Sequence, residues 1–299
     1  MQRLLHTIRS GFRKVSGFFV IFVERHILSV NCKNNIINSE TMKRILSFFL
    51  CAIFCCTNAS GWGRQGHSTI AKIAENNLKP SVKKKIEKYL GGHSIVYYSA
   101  WMDDYRDTKE YGFTTTWHTA PVNEEYRYED SLLNPEKGNA IYGLEKAIEV
   151  LKDYKNQPDS TVAVNLKYVI HLVGDMHCPS HVKYTGRKMN FKMYMPKSTT
   201  QIGAHAFWDS GSIAFSRFYS FSEWAEELDI LDKKTVREIT SGTPRDWFHD
   251  CALRCLLQFD ITAPGMNLTK DSMNPAIELC ETQIQYAGYR LAALLNELF

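Results

Sequence analysis

Between Val162 and His177 runs a stretch that is largely apolar, yet it carries His171 and Asp175 within it. The apolar content reads as a helix buried in a core, stopped by Pro179, whose ring cannot continue the helix. His171 and Asp175 are four residues apart, so both project from one face of that helix. An unpaired carboxylate is costly to bury. The fold must therefore bring a partner to this face, either a second charged side chain or a metal ion.

The residues after position 61 read mainly as helices. Apolar positions at Ile70, Ile73, Ala74 and Leu78 mark a helix over 68–78, and Ser81 is expected to cap a basic helix through Leu90. Residues 140–154 carry Ile141, Leu144, Ile148 and Leu151 on one stripe. Further helices are expected at 205–218, 222–228, 233–240, 244–259 and 275–298, the last repeating through Ile277, Ile284, Ala287, Leu291 and Leu295. Segments 114–120 and 190–195 could form short strands or a hairpin. No repeat or linker interrupts the pattern. The expected fold is all-α, one compact single-domain helical bundle with at most a small β-hairpin.

The N-terminal region reads differently. Met42-Lys43-Arg44 is a basic start, Ile45 to Cys56 an apolar run of twelve residues, and Ala59-Ser60-Gly61 a small-residue cleavage site. That is a secretory signal peptide over 42–61, too short for a spanning helix, which needs roughly 20 residues. Residues 1–41 fit no processing signal and read as an upstream start or an extended leader. The domain proper is then 62–299, exported to a periplasm or secreted, with no stable membrane association after cleavage. Residues 1–61 hold 8 of the 36 Lys and Arg and 2 of the 32 Asp and Glu, which leaves 28 basic and 30 acidic residues. A net charge of −2 excludes binding of phosphates through a broadly basic face. Cys178, Cys251, Cys255 and Cys280 remain after cleavage. Export permits disulfides, with Cys251 or Cys255 to Cys280 more plausible than Cys251 to Cys255; reduced core thiols are the equal alternative.

A second pair, His205 and Asp209, repeats the four-residue spacing, and His181 follows Asp175 just past the break at Pro179. Asp103 and His118 add another carboxylate and imidazole, a donor set suited to zinc. Cleavage before Trp62 would place a free α-amine beside a carbonyl, a chelate to which His67 adds a third donor. His93, His177 and His249 match no ligand spacing and read as surface or core residues.

These residues resemble a known family. Trp62-Gly63-x-x-Gly66-His67, Trp101-x-Asp103-x-Tyr105-Arg106, His118, His171-Leu-Val-Gly-Asp175-Met-His177-x-Pro179-x-His181 and His205-x-x-Trp208-Asp209 occur in the order found in the trinuclear zinc nucleases, the S-one/P-one or type I nucleases. The likeness spans 62–299. It implies a helical bundle with three zinc ions at the bottom of a cleft. Asp103, His118, His171 and Asp175 would hold one zinc. The Trp62 amine and carbonyl with His67 and Asp175 would hold a second, and His181, His205 and Asp209 a third.

The implied activity is hydrolysis of single-stranded DNA and RNA to 5′-phosphorylated products, and of 3′-nucleotides, by a monomer. The attacking water would be made acidic by two bridging zinc ions. Asp103 and Asp175 would be catalytic through those ions, and Arg106 would steady the phosphate, its guanidinium matching phosphate oxygens. Asn190 is the expected base-binding residue. The chain departs from the family at Thr119 and Pro121, where an aromatic residue and an Asp are common, and at Lys188-Met189, where two glycines precede the Asn. Tyr126, Tyr128, Phe191 and Tyr194 are candidate replacement stackers. The alternatives are a zinc phospholipase C, related in fold, and an exported zinc-binding protein without catalysis.

Overall fold

The first helix, α1 (Arg64–Asn76), buries Ile70, Ala71, Ile73 and Ala74 on the stripe that its apolar spacing predicts. The computed structural model describes residues 62–299; the expected leader at 42–61 and the stretch 1–41 lie outside the described residues. Helix α1 starts four residues before the expected 68. Gly63 and Gly66 are poor helix formers and hide this start from sequence, yet contact requires them. A Cβ on Gly66 would lie 2.9 Å from Trp62 Cβ, and one on Gly63 2.5 Å from Ser210 Oγ.

Helices α2 (Pro80–Tyr89) and α3 (Trp101–Tyr105) follow. Pro80, not Ser81, opens α2, because proline at the first position leaves no amide to satisfy. Helices α4 (Ala140–Lys152) and α5 (Asp159–Asp175) pack against each other. Helix α5 ends two residues before the expected His177. The residue before a proline is pushed out of the helical region, and Cys178 is extended at φ −77°, ψ 126°. A 3₁₀ turn at Pro179–His181 then folds the chain back.

The helix expected over 205–218 is three short pieces: α6 (Ala204–Ala206), a π-helical turn (Phe207–Gly211) and α7 (Ser212–Ala214). Helices α8 (Phe221–Leu228) and α9 (Lys233–Ile239) start at side-chain caps from Ser220 and Asp232. Residues expected as one helix over 244–259 divide into α10 (Pro244–Cys255) and α11 (Gln258–Ile261). The last helix, α12 (Lys270–Leu298), begins five residues before the expected 275, at a Thr269–Ser272 capping box. Pro275 lies inside it but is exposed, so the carbonyl it leaves without a donor is open to water.

Helix α12 makes its most extensive packing on α1 and also covers α5. Gly288 permits the close crossing with α1, since a Cβ there would lie 2.6 Å from Ile73 Cβ. The core runs between these helices through Ile70, Ile73, Ile284, Leu291 and Leu295.

Strands are confined to two pairs among the described residues. β1 (Ala120–Val122) pairs in parallel with β2 (Val182–Tyr184), and β3 (Lys192–Tyr194) forms an antiparallel hairpin with β4 (Gln201–Gly203). The 190–195 expectation thus corresponds to β3, whereas 114–120 begins in a 3₁₀ turn at Gly112–Thr116 and reaches a strand only at Ala120, the start of β1. The parallel pair matters beyond its size. Its register sets Ala120 against Val182, so the residues just before each strand, His118 and His181, both reach Asp175. The four cysteines among the described residues, Cys178, Cys251, Cys255 and Cys280, are free and buried. Cys280 faces Ser212 at 3.1 Å and Cys251 lies 3.6 Å from Cys255, so the reduced alternative holds and the bond to Cys280 does not.

Candidate metal centre

Four segments converge on the end of α5, where Asp175 is fully buried. Helix α1 brings His67, α3 brings Asp103, and the loop before β1 brings His118. Trp117 anchors that loop by lying on Gly143 of α4, where a Cβ would come within 2.4 Å of the indole. The 3₁₀ turn after α5 brings His181. Gly174 allows α5 to approach α1 so closely that a Cβ would sit 2.8 Å from His67 Nδ1.

The distances around Asp175 are short on both of its oxygens. Oδ2 lies 2.8 Å from His118 Nδ1 and 3.1 Å from His171 Nε2. Oδ1 lies 3.2 Å from His181 Nδ1 and 3.5 Å from His67 Nε2. Asp103 Oδ1 is 3.6 Å from His118 Nδ1 and 3.8 Å from His171 Nε2. On the far side of His181, Nε2 stands 3.5 Å from Asp209 Oδ1. The His67 and His171 rings stack at 4.0 Å, and those of His181 and His205 at 5.3 Å. His171 Nδ1 lies 2.8 Å from the carbonyl of Ser99, which accepts a hydrogen bond from it and so turns Nε2 inward.

Buried polar atoms are normally paired, and here several are not. His67 Nδ1 and Nε2, Asp103 Oδ1, His118 Nε2, Asp175 Oδ1 and His181 Nδ1 are buried without a hydrogen-bond partner. Nitrogen lone pairs and carboxylate oxygens facing one another repel unless a cation lies between them. That donor set, imidazole with carboxylate in fully buried surroundings, fits zinc. Three groups of donor atoms lie within 4.8 Å of one another: His67, His171 and Asp175; Asp103, His118 and His171; and Cys178, His181 and Asp209.

The charges respond to this crowding. Burial opposes ionisation of Asp175, but His171, His181 and His118 outweigh it and hold the carboxyl well below its usual range. Burial likewise opposes the charge on His171, yet Asp175 and Asp103 raise it to about 9. Burial and the charge of His171 lower His67. Asp209 is pushed well up by burial and by Asp175 and Asp103, and burial with His181 and Lys183 lowers His205 to about 3.

Of the other expected residues, Trp62 is fully buried with its indole Nε1 unpartnered, and the Gly63 amide donates to the carbonyl of Asp209 at 3.1 Å. The α-amine expected at Trp62 depends on cleavage after Gly61, which lies outside the described residues. Arg106 is largely buried, with Nη1 3.6 Å from Asp103 Oδ1. Asn190 is exposed just before β3, and Thr119 and Pro121 are half-buried beside His118 and in β1. Tyr128 is core, its hydroxyl accepting from Asn139, and Tyr126 packs edge-on against Tyr184. Phe191 and Tyr194 are half-buried.

His177 is a core residue, buried with Nε2 2.9 Å from Arg290 Nη1. His249 is half-buried against the Tyr126 carbonyl, and His93 is exposed and stacked on Tyr97. Three contributors escaped the sequence reading. Cys178 stands beside Asp209. Arg64 pairs with Asp104 and so leaves Asp103 to face the cluster. The Ser99 carbonyl, 72 residues from His171, carries no sequence signal; Gly174, between two ligand positions, did.

Comparison with known proteins agrees with this geometry. The family profile described as S1/P1 Nuclease matches residues 62–299. The chain is 26% identical to Nuclease P1 of Penicillium citrinum over 270 residues, covering 79% of this chain and 97% of that protein. It is 23% identical to Nuclease S1 of Aspergillus oryzae over 296 residues, covering 85% and 98%. It is 22% identical to Endonuclease 2 of Arabidopsis thaliana over 272 residues, covering 83% and 93%.

Proposed function

The chain belongs to the S1/P1 nuclease family and is a nuclease acting on nucleic acids, and from that premise we propose that it is an exported three-zinc phosphodiesterase of single strands. The observation that carries the reading is the set of buried, partnerless nitrogen and oxygen atoms around Asp175. Asp103, His118, His171 and Asp175 would hold one ion, and Trp62, His67 and Asp175 a second. His181, His205 and Asp209 would hold a third. Zinc bound there supplies a water of lowered pKa and neutralises charge on phosphate oxygens.

The side chains do the rest. Asp175 has a donor cluster at each oxygen, so one carboxylate serves two ion positions. Ser99 fixes the His171 ring, and Arg106, held beside Asp103, is placed to take a phosphate oxygen through its fork of donors. Products would carry 5′-phosphates, 3′-nucleotides would be substrates, and the enzyme would act as a monomer. Thr119 is not aromatic, so a base-stacking contact of ~1–3 kcal/mol is absent at that position and base preference is relaxed. Among the described residues no helix is long and apolar enough to cross a membrane.

The test is the purified exported protein, assayed for its first residue, zinc content, and hydrolysis of single-stranded DNA beside phosphatidylcholine. The expected result is Trp62 at the terminus, three zinc ions and cleavage of DNA. Hydrolysis of lipid alone would overturn the substrate, and full metal content with residues retained before Trp62 would overturn the terminal chelate.

A further inference from the structure

Cys178 lies outside the nine expected ligand positions, in the turn between Asp175 and His181. Its side chain is fully buried, with Sγ 3.6 Å from Asp209 Oδ1 and 3.3 Å from Ser180 Oγ. Sγ, a ring nitrogen of His181 and an oxygen of Asp209 all lie within 4.8 Å of one another. A tetrahedral zinc with sulfur at about 2.3 Å and nitrogen or oxygen at about 2.0–2.2 Å sets its donors roughly 3.3–3.6 Å apart. The Sγ–Oδ1 separation of 3.6 Å and the His181 Nε2–Asp209 Oδ1 separation of 3.5 Å match that spacing. His181 is also buried and has Nδ1 without a hydrogen-bond partner, which ties its ring to the neighbouring cluster at Asp175.

The backbone explains why sulfur reaches this place. Pro179 forces Cys178 into an extended conformation, which ends α5 there. Across from it, Asp209 sits in the π-helical turn, and such turns often mark functional positions.

We propose that Cys178 is a thiolate ligand at the His181–Asp209 metal position, making that position a mixed sulfur, nitrogen and oxygen site. The inference rests on the zinc reading above. On metal binding the S–H bond breaks, the proton passes to solvent, and a sulfur lone pair forms the metal–sulfur bond, with no change of oxidation state. His205, whose ring stacks on that of His181, would be the fourth donor. Four protein donors are the complement of a closed zinc site rather than an open one. A thiolate also shifts the position toward softer divalent ions, cadmium over zinc, relative to the all-nitrogen-and-oxygen positions around Asp175.

The experiment replaces zinc with cobalt(II) in the chelator-stripped protein and reads the near-ultraviolet thiolate-to-cobalt charge-transfer band. We expect the band in the unaltered protein and in Cys251→Ala and Cys280→Ala, and its loss in Cys178→Ser and Cys178→Ala. Cobalt bound in full without the band, or a band surviving Cys178→Ser, overturns the proposal while leaving the zinc reading intact. Failure of any cobalt or zinc to bind overturns both. Should the Cys178 variants not fold, X-ray absorption at the zinc edge of the unaltered protein decides: a sulfur scatterer supports the ligand, and a pure nitrogen and oxygen shell refutes it.

Discussion

Two buried polar clusters lie at the end of α5, and they differ in who supplies the cation. Around Asp175, imidazoles and carboxylates face each other and leave several atoms unpaired. Around His177, two residues further on, every contact is closed by protein. His177 Nδ1 donates to the Val173 carbonyl at 2.7 Å, and Arg290 Nη1 donates to His177 Nε2 at 2.9 Å. Arg290 also donates from Nε to the Ile239 carbonyl and from Nη2 to Asp250, both at 2.8 Å. The second cluster brings its own guanidinium and is finished; the first is built for an ion from outside. Burial alone does not separate structural from functional polar groups, but the balance of donors does.

The contrast is broken most severely at Asp175. On the three-zinc reading, Asp175→Asn is expected to lose two of the ions together and to reduce hydrolysis on the order of 10³-fold or more. Metal analysis that finds a single ion missing would remove the bridge between the two positions. Arg290→Met strikes the other cluster, leaving His177 Nε2 and the Ile239 carbonyl without their donor and Asp250 with Arg254 alone. A loss of about 3–5 kcal/mol in denaturant stability is expected, with zinc content per folded molecule unchanged. Stripped metal in a well-folded Arg290→Met protein would mean that the two clusters are one.

Acid should expose the same division. Burial and then Arg290 depress His177 from 6.5 to about 3, so the folded protein keeps this imidazole neutral. Between those pH values the unfolded chain binds a proton that the folded one refuses. Stability therefore falls as pH drops below 6.5, by roughly 2 kcal/mol at pH 5 relative to pH 7 from this group alone. Urea midpoints in chelator for wild type and His177→Gln should show the shallower slope in the variant; equal slopes would refute the assignment. The smallest effect belongs to Arg64→Ala, which breaks an exposed pair with Asp104. Stability should change by less than about 1 kcal/mol, with zinc content retained, as calorimetry and metal analysis can establish.

The helical fold was legible because apolar spacing along α1, α4, α5 and α12 matches what each helix buries. His171 and Asp175 were legible for the same reason, since an ordinary helix fixes their common face. The π-helical turn at Asp209 was not, because no residue type demands it. Nor was the pairing of His177 with Arg290, which are 113 residues apart and owe their contact to the packing of α12. Helix starts failed at Gly63 and Gly66, where glycine serves a contact rather than a propensity, and at Pro275, an exposed proline that lies inside α12 instead of opening it. Cys178 had no place among the expected ligands because sulfur beside a carboxylate is a spatial fact, visible only after Pro179 has turned the chain.

The crossing of α12 over α1 at Gly288 has a kinetic side. These helices are joined by almost the whole of the described sequence, so their contact closes a loop of about two hundred residues. Each doubling of loop length adds only about 0.6 kcal/mol to closure, but non-local contacts slow the search for the native state. α12 also carries Arg290, so the same late docking event seals the core and neutralises the interior around His177. Until then the interior around His177 lacks its guanidinium. Folding in this molecule should show one slow, cooperative final step, and zinc should find its ligands gathered only after that step is complete.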